Sequence, residues 1–264
     1  MLDQVKLYGE RNSGTNVLHY ALNLNFACEV LTGNAHISEE RIEHSLDQLG
    51  LEGLERAQFR EHVLDDAIFR DLDSNLGWKH GVPPYSAIRA YPRLAGTLFL
   101  VISKDPYNWL LSFHQRPYHK LYSQELDFSG FIRHYWITVR RENLPLALLE
   151  NPIQLYSLKL EGYQQLAKLA SHFLHIRYSD LLNDFEGTMN ALARFLPPKQ
   201  ATWTLPLDSL KREALDFYDY QRKYADPDRL KAISAEDRAY INAYLDSALL
   251  SRWGYELLSN QTGT

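Results

Sequence analysis

Lys6-Leu7-Tyr8-Gly9-Glu10-Arg11-Asn12-Ser13-Gly14-Thr15-Asn16 decides how the chain is read. A short apolar stretch runs into a glycine-bounded loop, and beyond it Val17, Leu18, Ala21, Leu22 and Asn25 recur with helical spacing. Strand, loop and helix in that order make the first part of a βαβ unit. Gly9 and Gly14 have the spacing that begins G-x-x-x-x-G-K-[ST], but Thr15 and Asn16 stand where the lysine and hydroxyl residue of an ordinary ATP-binding loop belong. Backbone N–H groups of such a loop, with the start of the next helix, hold an anion without that lysine. Arg11 supplies a displaced cation just upstream.

Outward from this loop the same alternation returns. Leu98-Phe99-Leu100-Val101-Ile102-Ser103 is a continuous apolar run of buried-strand length. It leads into Lys104-Asp105-Pro106, where Asp105 caps and Pro106 opens a helix through Trp109, Leu110 and Phe113. Phe173 to Tyr178 reads as another strand, followed by a helix through Met189, Leu192, Phe195 and Leu196 that Pro197-Pro198 stops. The fold class is α/β, with a central, mainly parallel sheet flanked by helices. Residues 36–75, rich in Glu, Asp, Arg and Leu without strand alternation, read as a helical insertion whose charges form a solvated face. Leu76 to Pro84 reads as a short strand ending in a turn, and Phe128 to Ser171 as mostly helical, broken near Pro145 and Pro152. Phe217 to Tyr224 is a polar, tyrosine-rich segment, and a last helix spans about Ala235 to Ser251.

With 264 residues, 45% hydrophobic and 23% charged, the chain suits one large domain over residues 1–264. No apolar run has the eighteen or so residues of a membrane span, and with the first strand so near Met1 no leader is expected. A single cysteine, Cys28, excludes an internal disulfide and a thiolate cluster, so the expected compartment is the cytoplasm. The net charge of −5 offers nucleic acid no general attraction, and an anionic ligand must be held by a local constellation. Four polar clusters stand at predicted strand ends, where open parallel sheets gather ligands: Arg11 to Asn16, Lys79-His80, Lys104 to Ser112, and Tyr178-Ser179-Asp180.

Ser13-Gly14-Thr15, Lys104-Asp105-Pro106 with Ser112 eight positions after the lysine, and Arg177-Tyr178-Ser179-Asp180-Leu181-Leu182 together resemble the signatures of sulfotransferases that use 3′-phosphoadenosine-5′-phosphosulfate, PAPS. The similarity extends loosely through Asn151-Pro152, Leu155-Tyr156 and Trp253-Gly254-Tyr255. It implies a P-loop-like sulfotransferase architecture, with the residues from Arg11 through Asn12, Ser13, Gly14, Thr15 and Asn16 on the 5′-phosphosulfate, Lys104 and Ser112 on the 3′-phosphate, and Tyr178 beside them. Asn12 stands where the family usually has a cation, with Arg11 one position earlier, and Lys104 replaces the more common arginine. Lys79-His80 resembles a shortened form of the family's K-T-H segment.

The resemblance implies transfer of a sulfuryl group to a hydroxyl, or less readily an amine, of a carbohydrate or small molecule. Such transfer places acceptor oxygen and leaving phosphate in line and rests on positioning and charge stabilisation. The sulfuryl group carries less charge than a terminal phosphate, so no metal is expected. His80 is the candidate general base, with Lys79 its rival, and Arg11 and Lys79 the candidate stabilisers of the leaving phosphate. A non-catalytic nucleotide-binding protein of the same fold and an altered P-loop kinase are the alternatives.

Overall fold

The computed structural model describes residues 1–34, 37–117, 126–207 and 216–259. In β1 (Gln4–Tyr8) every residue is buried, and α1 (Thr15–Asn25) returns across the sheet to β2 (Glu29–Leu31), an edge strand the sequence pattern does not announce. Three helices follow: α2 (Glu39–Gln48), α3 (Gly53–Arg70) and α4 (Leu72–Asn75). They form the insertion expected over 36–75, of which His36 lies outside the described residues. A short helix, α5 (Tyr85–Ala90), precedes β3 (Thr97–Ser103), the fully buried apolar run. Asp105 then accepts from the Asn108 N–H and Pro106 opens α6 (Pro106–Gln115).

From residue 128 the helical expectation is corrected. α7 (Phe128–Arg133) gives way to a small antiparallel hairpin of β4 (Trp136–Ile137) and β5 (Leu148–Leu149). Pro152 opens α8 (Pro152–Leu169) instead of breaking a helix, because Asn151 caps it by accepting from the Ile153 and Gln154 N–H groups. β6 (His172–Arg177) passes directly into α9 (Tyr178–Asn183) and α10 (Phe185–Leu192). The tyrosine-rich segment is a helix, α11 (Phe217–Ala225), and the last helix is two, α12 (Ala235–Tyr244) and α13 (Ser247–Arg252), the second capped by Asp246.

The sheet is parallel throughout, in the order β2-β1-β3-β6. Alternation along each strand sends residues to two cores. Val5, Leu7, Leu98, Leu100 and Ile102 face α1, α9, α10 and α11, while Tyr8, Phe99 and Val101 face α6, α8, α12 and α13. Each such aliphatic side chain, fully buried, contributes roughly 1.5–3 kcal/mol. The chain runs from β1 to β2 on one side and returns to β3 on the other, so strand order reverses between β1 and β3. A crevice at the carboxyl ends of the strands forms at such a reversal.

Leu76 to Pro84 is not a strand. Leu76 and Gly77 both have positive φ, 56° and 79°, which ends any extended run. The segment is instead lashed to the sheet's carboxyl end. Buried Lys6 donates from Nζ to the carbonyls of Asn75 and Gly77, and the Tyr8 hydroxyl donates to the carbonyl of Leu76. Lys79 N–H donates to Thr32 O and Gly9 N–H to Lys79 O, both at 2.9 Å.

Candidate functional site

A cleft of about 640 Å3 opens at the strand-order reversal. Arg11, Asn12, Gly14, Thr15, Asn16, Lys79, His80, Lys104 and Tyr178 all line it, so all four clusters expected at strand ends contribute to one space. The loop after β1 enters α1 through Gly14, which has φ 96° and offers no side-chain cap to the first N–H groups of the helix. Those N–H groups have no partner within the helix and form its positive end. Gly14 is required here twice over: its φ is left-handed, and a Cβ would stand 2.3 Å from Cδ2 of Tyr178.

The cations are held by polar and aromatic groups. Lys79 Nζ donates to Asn16 Oδ1 at 2.8 Å, and burial, then the charge of Arg11, brings its ammonium down to about 8. Lys104 Nζ donates to the Tyr224 hydroxyl at 2.7 Å and lies 4.5 Å and 4.2 Å from the ring centres of Tyr178 and Tyr224. Burial pushes the Lys104 ammonium well down, Asp105 opposing and Arg229 and Lys223 adding to the shift. Among the described residues neither lysine makes a salt bridge to a carboxylate. Arg11 stacks over Trp78, its guanidinium carbon 5.9 Å from the ring centre, and its carbonyl accepts from Trp109 Nε1 at 2.8 Å.

His80 is 8% exposed. Its Nδ1 lies 2.7 Å from the carbonyl oxygen of Gly9, an atom that only accepts, so Nδ1 carries the proton and Nε2 the lone pair. Burial, then the charges of Lys79 and Arg11, hold the imidazole well below its ordinary 6.5 and keep it neutral. Behind it Lys159 Nζ donates to the His80 carbonyl and bridges Glu142 at 3.3 Å and Glu10 at 3.2 Å. This ion cluster ties α8 to the loop and to the backbone of His80.

Two expected ligand groups are placed otherwise. Ser13 Oγ turns inward to donate to Glu10 O, which its N–H also reaches, so the hydroxyl braces the loop and does not line the cleft. Ser112 Oγ donates to its own helix at Asn108 O, 2.8 Å away, and stands behind Tyr224, 3.0 Å from its hydroxyl and 3.3 Å from Arg229 Nη2. Asn12 Nδ2 reaches Arg116 O at 3.2 Å. Sequence reasoning missed Tyr224, Tyr220 and Phe217, which line the cleft, and Arg229, which stacks on Tyr224 with its guanidinium carbon 4.8 Å from the ring centre; no local spacing marks them.

The insertion's charges are not only a solvated face. Glu61, Asp65 and Ile68 share one side of α3 at helical spacing and turn inward. Arg141, 5% exposed, pairs with Glu61 and, at 2.8 Å, with Asp65, and stacks on Trp78 with its guanidinium carbon 4.7 Å from the ring centre. Glu39, Arg60, Glu61 and Arg141 consequently line the far end of the cleft. No group of three or more His, Cys, Asp or Glu placed to hold a metal ion occurs among the described residues. None of their helices is long and apolar enough to cross a membrane. No protein-family model matches the chain, and no curated protein matches it.

Proposed function

We propose that this chain is a PAPS-dependent sulfotransferase with a P-loop-like sulfotransferase architecture. The observation that carries the reading is the pair of buried lysines, Lys79 and Lys104, on one cleft, with depressed ammonium pKa values and no carboxylate salt bridge among the described residues. Burying a cation without a counter-charge is costly, and an anion recovers that cost. The sequence resemblance assigns Lys104 to the 3′-phosphate of such a ligand, and Lys79 is the candidate stabiliser of its leaving phosphate. The 5′-end falls to the loop amides, Arg11 and Lys79, and the 3′-phosphate to Lys104, with Ser112 and Arg229 supporting Tyr224 beside it. Tyr220, Phe217 and Leu182 offer an apolar, aromatic wall suited to a purine. The volume suits a nucleotide and a small acceptor.

PAPS supplies a sulfuryl group joined to a phosphate leaving group. The bond from sulfur to the 5′-phosphate oxygen breaks as the acceptor oxygen bonds to sulfur, and the electron pair leaves on that phosphate. His80 Nε2 takes the acceptor proton, and Lys79, Arg11 and the loop N–H groups stabilise the charge that develops on the phosphate. The acceptor, a carbohydrate or small molecule bearing a hydroxyl, enters from the insertion side, against Glu39, Arg60 and Trp78.

Turnover with labelled PAPS over a panel of hydroxyl acceptors tests the activity. His80→Ala is expected to lower turnover by roughly a hundredfold or more and to leave 3′-phosphoadenosine-5′-phosphate binding intact. Near-normal turnover in the variant removes His80 from the role of base. Tight nucleotide binding without transfer to any acceptor would favour a non-catalytic protein.

A further inference from the structure

Beneath the anion loop lies a small internal void with about 10 Å3 open to the centre of a water molecule. It separates the loop after β1 from α8, and every side chain that lines it is more than nine-tenths buried. Two polar atoms on its walls are unspent. Glu10 Oε2 and the Tyr163 hydroxyl are both inaccessible to solvent and make no hydrogen bond to another protein group. Lys159 Nζ stands 3.2 Å from Glu10 Oε2, at ion-pair distance but without hydrogen-bond alignment.

A buried carboxylate oxygen and a buried phenol are costly to leave unbonded, and ordered water is the usual partner for such groups. The void is at the lower limit for one water molecule and excludes anything larger. Its walls provide the donor and acceptors a water needs. The Tyr163 hydroxyl donates, Glu10 Oε2 accepts, and the hydroxyl oxygens of Ser13 and Ser103, on the same walls, can take the second hydrogen.

We propose that one structural water is bound between Glu10 Oε2 and the Tyr163 hydroxyl, joining the floor of the anion loop to α8. Glu10 is then engaged on both oxygens, because Oε1 already accepts from the Arg11 N–H at 2.6 Å. The water completes the brace that sets the first turn of the loop. This site is independent of which anion the loop carries.

High-resolution crystal structures of the unmodified protein and of Tyr163→Phe test it. In the unmodified protein a single isolated density peak is expected within hydrogen-bond distance of both atoms, and in Tyr163→Phe that peak is lost or displaced. An empty void, a Tyr163 hydroxyl bonded directly to Glu10, or a peak unmoved in Tyr163→Phe would each overturn the proposal. If the variant does not fold, the map of the unmodified protein alone decides.

Discussion

Lys79 shows how much of the site a single residue's chemistry discloses. Its place with His80 at an expected strand end marked it as a candidate in the sequence, but only the fold shows that its ammonium is buried against Asn16 and Arg11. Its pKa of about 8 against an ordinary 10.5 has two consequences of opposite sign. Between these values the unfolded chain holds a proton that the folded chain has lost, so in the free protein this residue's contribution to stability rises with pH across that window. Anion binding needs the proton. Affinity for 3′-phosphoadenosine-5′-phosphate is therefore expected to fall as pH rises through about 8, and Lys79→Met should bind more weakly and lose that fall. An unchanged pH profile in the variant would show that Lys79 does not face the ligand. Ser13 and Ser112 mark where residue-level reading stopped. A serine hydroxyl in a loop or on a helix has a backbone carbonyl within reach, and both bonded inward.

The elements legible in the sequence are those whose signals are local. β1 with its loop and α1, and β3 with Asp105 and Pro106, carry apolar runs, glycines and a cap at fixed spacing, and they bring Arg11 and Lys104 to the same cleft. Leu76 to Pro84 was misread because its conformation is imposed from outside, by Lys6 and Tyr8 of β1 reaching its carbonyls. The β4–β5 hairpin, two residues a side, is too short for alternation to register. At this scale the critical join is Gly14 against Tyr178, which couples the start of α1 to the start of α9. Gly14→Ala places a Cβ 2.3 Å from the tyrosine ring at φ 96°. A stability loss of about 2 kcal/mol or more is expected from chemical denaturation, with weakened nucleotide binding. A variant as stable as the original would mean that the loop and α9 are not in contact as described.

Across the whole molecule, the two cores fix the sheet, and the insertion is fastened to it by charge. Arg141, from the stretch read as helix, holds Glu61 and Asp65 of α3 in a buried ion cluster that no sequence separation could reveal. Arg141→Met leaves those carboxylates without their main partner, and a loss of about 3–5 kcal/mol is expected in urea unfolding. A loss below about 1 kcal/mol, typical of an exposed pair, would show that the insertion is held some other way. The same fastening forms one wall of the cleft, so under the proposed function acceptor preference and insertion packing should change together. The Lys104 end of the cleft depends on neither, and the proposal that it takes a 3′-phosphorylated nucleotide is the central claim. Thermal unfolding with 3′-phosphoadenosine-5′-phosphate, ATP and 5′-AMP at matched concentrations addresses it most directly, because a ligand bound only by the folded chain raises its midpoint. The 3′-phosphorylated nucleotide should raise the midpoint at concentrations where the other two do not; equal shifts for all three, or none, would contradict the assignment.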